Sequence, residues 1–205
     1  MRKELVAGVV AMAAVVTASN VAVQFLAGPW LTWGAFTYPL AFLVTDLVNR
    51  LHGPAAARRV VAAGFLVGLA CSLAGTQIEG PFGPFVTLRV ALGSAVAFLA
   101  AQFVDVAAFD RLRAGPWWHA PLVSSLFGGA LDTALFFTIA FSAGLTGLAP
   151  GVDVAWANAP AAILGLGPVA PLWVSLAIAD FAVKSGVAAV ALVPYRVAVR
   201  RAGRR

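Results

Sequence analysis

The sequence has little charge. Asp, Glu, Lys and Arg make up 11% of its 205 residues, whereas a soluble domain carries roughly 25%. Hydrophobic residues reach 61%, so too few polar side chains exist to cover a globular surface, and a water-soluble domain is excluded. Cysteine is confined to Cys71, inside the apolar run GFLVGLACSLAG, which excludes a disulfide framework and a Cys-x-x-Cys metal site. The Gly-x-x-x-x-Gly-Lys-Ser/Thr loop that cradles nucleotide phosphates is missing, so the chain is not expected to hydrolyse a nucleotide by itself. No cofactor, metal or catalytic residue is expected, and the chain does not read as an enzyme.

What the sequence does have is long apolar runs. A hydrocarbon core about 30 Å thick is crossed by about 20 helical residues. Six segments are read as spans: 5–27, 34–48, 60–74, 88–109, 121–145 and 168–193. The fold class expected is an all-α integral membrane protein, a six-transmembrane-helix bundle forming one domain over 1–195. A basic cytoplasmic tail follows at 196–205. The first run has no charge from Leu5 to Ala27, too long for the apolar region of a signal peptide, about 7–15 residues.

Basic residues set the orientation. Arg2 and Lys3 precede the first span; Arg50, Arg58 and Arg59 join the second and third; Arg111 and Arg113 join the fourth and fifth; five arginines crowd the tail. The alternate loops, near 28–33, 75–87 and 146–167, have no Lys or Arg. This positive-inside pattern puts the N and C termini in the cytoplasm. The net charge of +6 is therefore expected to face anionic membrane lipid, and no nucleic acid is expected as a partner. The outer loops TQIEGPFGPFVT and GLAPGVDVAWANAPAAILGLG are rich in Gly and Pro, with Glu79 and Asp153 as their only charges. Such loops suit the interface or a lid over a cavity.

Polar groups inside the spans carry the functional signal. A charged side chain at a helix centre costs about 2.5–3.5 kcal/mol on insertion scales, so it normally faces a protein interior or an aqueous cavity. Asp46, Arg89, Asp105, Asp132, Asp180 and Lys184 are in this class, with the amides Asn20, Gln24, Asn49 and Gln102. Asp180 and Lys184 are four apart (DFAVK) and share a helix face, as an ion pair or as part of a coupling device. Asp46 shares a face with Asn49, and Gln102, Asp105 and Phe109 form one stripe. Asp132 stands in SLFGGALDTALFFTIAF, with no other charge between Arg113 and Asp153. Spans four and five echo each other as Asp105-x-x-x-Phe109 and Asp132-x-x-x-Phe136, which suggests two carboxylates and two rings lining a common space. Gly93, Ser94, Ala97, Ala101, Gly128 and Gly129 are small enough to let these helices approach closely. Carboxylates and amides beside aromatic rings suit a planar heterocycle rich in N–H donors. They equally suit a cation or a proton relay, so the residues by themselves indicate a polar solute.

Three stretches narrow that class: YPLAFLVTDLVNRLHGPAAARRVV, RVALGSAVAFLAAQFVDVAAFDRLR and SSLFGGALDTALFFTIAF. They resemble the queuosine precursor transporter family, small bacterial inner-membrane proteins also called vitamin-uptake-type transporters. The resemblance implies six helices and uptake of the deazaguanine bases 7-cyano-7-deazaguanine and 7-aminomethyl-7-deazaguanine for tRNA queuosine salvage. By motif position it implies Thr45, Asp46, Asn49, Arg89, Gln102, Asp105 and Asp132 as substrate-binding residues. Phe109 and Phe136 are the expected stacking rings. The expected site lies between spans two, four and five. One departure stands out: the family often has an amide three residues before the fifth-span acid, where this chain has Gly129.

Other readings use the same residues. A homodimer is a partner expectation. An alternative reading makes the chain the substrate-binding subunit of an energy-coupling-factor transporter, docked on an energy-coupling module. A purely structural role is a third. Paired intramembrane aspartates also serve aspartyl proteases, but Asp105 and Asp132 lack the Gly-Asp and Tyr-Asp contexts of that chemistry.

Overall fold

In lipid a chain satisfies its backbone N–H and C=O groups only internally, so apolar runs of Ala, Val, Leu and Phe become helices. The computed structural model describes residues 3–81 and 83–203. Its helices are α1 (Lys3–Ala22), α2 (Gly34–Thr37), α3 (Leu40–His52), α4 (Pro54–Gly75), α5 (Leu88–Leu112), α6 (His119–Phe141) and α7 (Leu172–Ala202). Five of them, α1, α4, α5, α6 and α7, are long and apolar enough to cross a membrane. The chain is thus an all-α, multi-pass membrane protein. Arg2, Arg204 and Arg205 of the predicted basic termini lie outside the described residues.

The predicted second span takes a different form. It is split into α2 and α3, and neither piece alone reaches the length a bilayer requires. Pro39 causes the break, since it has no N–H to donate to Ala35. The chain passes it on tighter bonds, from Ala41 N to the Tyr38 carbonyl at 2.9 Å and from Phe42 N to the Pro39 carbonyl at 3.1 Å. Polar residues Thr45, Asp46, Asn49, Arg50 and His52 lower the hydropathy of α3. Even so, α3 is central, packing against α1, α4, α5, α6 and α7. It ends at Gly53, whose φ of 84° lies where a residue with a Cβ is strained. Pro54 then starts α4, a first-turn position that needs no N–H donor.

The longest contact joins α5 to α6. Gly128 explains its closeness: a Cβ there would stand 2.7 Å from the Phe42 ring and 3.2 Å from the Ala101 carbonyl oxygen. Without a hydrophobic drive between helices in lipid, such close packing is a main source of association. On the other side, Met12 and Val16 of α1 pack with Ala41 and Val48 of α3, Val60 and Val61 of α4, and Phe98 and Val106 of α5.

The two ends of the bundle differ. One carries the α3–α4 and α5–α6 turns and the end of α7, drawn together where Arg50 Nη1 donates to the Arg113 carbonyl at 2.9 Å. The other carries two short hairpins, Glu79–Gly80 with Gly83–Pro84 and Pro160–Ala162 with Val169–Pro171. The loop before α7, which showed no motif, is tied down by Asn158. Its Nδ2 donates to the Phe141 and Val154 carbonyls, both at 2.8 Å. α7 continues to Ala202, so residues 196–202 of the predicted tail are helical.

Candidate functional site

Two groups of buried polar side chains occupy the bundle. The first joins α3, α5 and α6. Thr45 Oγ1 donates to Gln102 Oε1 at 2.6 Å, and Asn49 Nδ2 to the Val106 carbonyl at 3.1 Å. Ser124 and Ser125 donate to the two oxygens of Asp46, each at 3.3 Å. Asp105 lies beside Asp46. Thr45, Asn49, Gln102, Asp105 and Ser124 have no solvent exposure, and Asp46 has 2%. The spacing supplies this convergence: Thr45, Asp46 and Asn49 fall on one side of α3, and Gln102 and Asp105, three apart, on one side of α5. Within this group several atoms have no protein partner: both oxygens of Asp105, Gln102 Nε2 and Asn49 Oδ1. Two adjacent carboxyl groups with no cation against them are costly at this depth. A ligand bringing N–H donors relieves that cost.

The second group joins α6 and α7 to the α2–α3 break. Lys184 Nζ contacts Asp132 Oδ2 at 2.6 Å and Asp180 Oδ2 at 2.5 Å. It also donates to Thr133 Oγ1 at 3.0 Å, and Thr133 donates to Asp180 Oδ2 at 2.7 Å. The Tyr38 hydroxyl donates to Asp132 Oδ1 at 2.8 Å. The predicted Asp180–Lys184 pair is present and extends to Asp132, so both oxygens of Asp132 are engaged within the protein. Along α6, Asp132 stands about 12 Å from Ser124 at 1.5 Å per residue. Asp132 therefore belongs to an ion-pair network in this conformation and not to the Asp46–Asp105 group. The room left by Gly129 is taken by the Lys184 stem, whose Cβ would lie 3.8 Å from an added Cβ. A longer amide there would meet that stem.

Three further predicted residues lie elsewhere. Arg89 is fully buried, but it closes the end of α6. Its Nε and Nη2 donate to the Ile139 carbonyl at 3.0 and 2.8 Å, and Nη2 to the Ser142 carbonyl at 2.7 Å. A cation suits those last carbonyls and the negative end of the helix dipole. Phe109 has no exposure and packs edge-on against Tyr195 with centroids 6.4 Å apart. Phe136 stacks with Phe137 and Phe141 at 5.1 and 5.8 Å, in the aromatic group that Trp156 joins. Both rings stand four residues after their acids, and α5 and α6 run antiparallel, so the repeated motif sends them to opposite ends. Two other rings lie near the first group: Phe42, which like the Asp105 Cβ packs at Gly128, and Tyr195, which borders the cavity next to Asp46. The motif reading also passed over Tyr38, Ser124, Ser125 and Thr133. Tyr38 and the Ser-Ser pair were visible in YPL and SSLFGG, but uncharged hydroxyls give no depth signal.

The cavity next to Asp46 has a volume of about 10 Å³ and is bordered by Pro39, Leu43, Pro121, Ser125 and Tyr195. That is room for about one water. The common space expected from the sequence is narrow beside Asp46, where Gly128 brings α6 tightly against α3 and α5.

Residues 32–199 match the family described as putative vitamin uptake transporter. The chain is 39% identical over 142 residues to the queuosine precursor transporter of Escherichia coli, a match covering 62% of this chain and 64% of that protein. It is 37% identical over 121 residues to the probable queuosine precursor transporter of Haemophilus influenzae, covering 54% and 52%. It is 30% identical over 196 residues to the probable queuosine precursor transporter of Bacillus subtilis, covering 86% and 74%. The matched part thus spans slightly under two thirds of the first of these relatives and about half of the second. No solved structure matches the chain. With a family match over most of its length and a multi-pass helical fold, this chain belongs to the queuosine precursor transporter family of putative vitamin uptake transporters, a family of transporters and not of enzymes.

Proposed function

We propose that this protein is an inner-membrane transporter that takes up queuosine precursor bases, 7-cyano-7-deazaguanine and 7-aminomethyl-7-deazaguanine, for salvage into tRNA. The observation that carries the reading is that, within the Asp46–Asp105 group, both oxygens of Asp105 and Nε2 of Gln102 are buried without a partner; Arg89 Nη1, the other such atom on α5, lies at the far end of that helix. A guanine-type edge presents a ring N–H and an exocyclic amine next to a carbonyl oxygen. The carboxylate accepts from the two donors, and the Gln102 amide donates to the carbonyl. Thr45 fixes the orientation of that amide by donating to its oxygen, so the N–H₂ is the end left for the ligand. Asp46 and Asn49 border the same place, and Phe42 is the ring available for stacking.

In this proposal α2 and α3 together make the sixth crossing, since residues 34–52 reach about 28 Å at 1.5 Å per residue. Both termini then lie on the cytoplasmic side. The tight fit beside Asp46 represents a state without substrate, and α6 or α7 moves away from α3 to admit the base. Asp132, Lys184 and Asp180 bridge the moving parts and do not touch the ligand. The chain works without a partner ATPase. The test is complementation: the chain is expressed alone in cells lacking both precursor synthesis and uptake, each base is fed, and queuosine in tRNA is measured. Queuosine formation from either base is expected. Its absence, in cells where a known transporter restores it, overturns the assignment.

A further inference from the structure

The 31 residues of α7 extend about 46 Å at 1.5 Å per residue, against a hydrocarbon core of about 30 Å. Its final turns therefore stand in the headgroup layer, beside the α3–α4 and α5–α6 turns. There the structure contains a cavity of about 170 Å³ lined by Arg50, Trp117, Tyr195, Arg196, Val199 and Arg200. Three guanidinium groups border it, and none of these six residues is an acid.

Arg50 and Arg196 are held in place by groups that leave their charge uncompensated. Arg50 is anchored through Nη1 to the Arg113 carbonyl at 2.9 Å. Arg196 lies over the Trp117 ring, 4.5 Å from its centroid; the ring fixes the cation without neutralising it. Asp110, an acid at this end, is engaged by Arg113 at 3.1 Å. Tyr195, 2% exposed, lines the inner side and borders the small cavity next to Asp46 as well, so it separates the two. Like charges gathered around one space repel, and an anion within that space removes the repulsion. Guanidinium forks suit the oxygens of a phosphate group. Basic pockets between helices at headgroup depth take anionic headgroups, and Trp117 suits the same layer.

We propose that this arginine-lined cavity binds a phosphate-bearing anion, with Arg50, Arg196 and Arg200 as its donors. The occupant is an anionic lipid headgroup or a soluble phosphate compound, which share this chemistry. The proposal does not depend on the identity of the transported base.

The experiment follows thermal unfolding of the full chain in neutral detergent at constant ionic strength. Phosphatidylglycerol, phosphatidylcholine, inorganic phosphate and chloride are titrated separately. A rise in midpoint with phosphatidylglycerol identifies a lipid occupant, and a rise with inorganic phosphate a soluble one; phosphatidylcholine and chloride are expected to give none. Arg196→Gln with Arg200→Gln is expected to weaken the response about 25-fold, roughly fivefold per arginine. Arg58→Gln with Arg59→Gln removes the same charge from exposed positions on α4 and is expected to stay within about twofold of the parent. Should the first pair fail to fold, Arg200→Gln alone, at an exposed side chain, is read against the expected fivefold. The absence of any response in the parent, or equal losses in the two double variants, overturns the proposal.

Discussion

Asp132 meets Lys184 Nζ at 2.6 Å on one oxygen and the Tyr38 hydroxyl at 2.8 Å on the other. Asp105, with no solvent exposure against 5% for Asp132, meets no donor on either oxygen. Two acids of one type at similar burial are thus treated in opposite ways by their surroundings. A buried ion with its partners in place joins helices. A buried carboxyl group without them is tolerated only where something else supplies partners part of the time. Both groups join helices, but on the proposed function only the one around Asp105 keeps atoms free for a ligand, a distinction that charge at membrane depth alone does not make.

Removing the cation of the satisfied group tests this most severely. Lys184→Met leaves Asp132 and Asp180 facing each other through Thr133, and loss of one partner of a buried pair costs about 3–5 kcal/mol. Unfolding of the purified variant is expected to shift accordingly. Adding Asp132→Asn and Asp180→Asn should recover most of the loss. A single variant as stable as the parent would show that the network holds nothing together.

The converse change is Asp105→Asn. It keeps shape and volume, removes a carboxyl group that no protein donor meets, and is expected to leave stability unchanged or raised. Binding of the deazaguanine base should fall by about 30- to 150-fold, the equivalent of about 2–3 kcal/mol for hydrogen bonds to a charged group. Isothermal titration on the purified variant and uptake in cells both report it. A variant that is destabilised but binds normally would reverse the roles assigned to the two groups.

A third change sharpens the contrast by altering space without altering charge. Gly128→Ala sets a methyl against Phe42 and the Ala101 carbonyl, which pushes α6 away from α5. Overpacking of this kind costs about 1–3 kcal/mol. The same methyl intrudes next to Asp105, so base affinity should drop along with the melting midpoint. The matching methyl at Gly129, with its nearest neighbour at 3.8 Å, is expected to leave both within error.

The helical membrane class and the long spans were legible in the sequence because apolar composition and run length act over many residues together. The break at Pro39 was harder to see. The α2–α3 segment remains helical on both sides of it, and hydropathy averages across a local loss of one donor. Spacing put Asp46 with Asn49 on one face and Gln102 with Asp105 on another; Thr45 and the grouping of the two faces came from the family motifs. Asp132 could not be placed from spacing, because its surroundings depend on Lys184 from a helix about 50 residues further on. Arg89 could not be placed from spacing either. Its partners are backbone carbonyls at the end of α6, and carbonyls leave no mark in a sequence. Phe109 and Phe136 share the Asp-x-x-x-Phe pattern, but helix direction, not motif similarity, decides where a ring goes.

Tyr38 is the smallest test of the comparison and the one that links its two halves. It sits at the α2–α3 break, its hydroxyl bonds Asp132, and its ring lies edge-on to Phe42 at 6.2 Å and Phe98 at 6.3 Å. Lys184 Nζ stands 5.4 Å from the ring centroid. Tyr38→Phe keeps every ring contact and deletes one hydrogen bond, and Asp132 still has its cation, so about 1–2 kcal/mol of stability should be lost. Base affinity is expected to be unchanged, since the hydroxyl does not reach the Asp46–Asp105 group. Uptake rate is the informative quantity. If the break at Pro39 is where the bundle yields to admit substrate, freeing α3 from α6 changes the rate of uptake at constant affinity. A rate and affinity both equal to the parent's would confine Tyr38 to packing and move the site of opening to another helix.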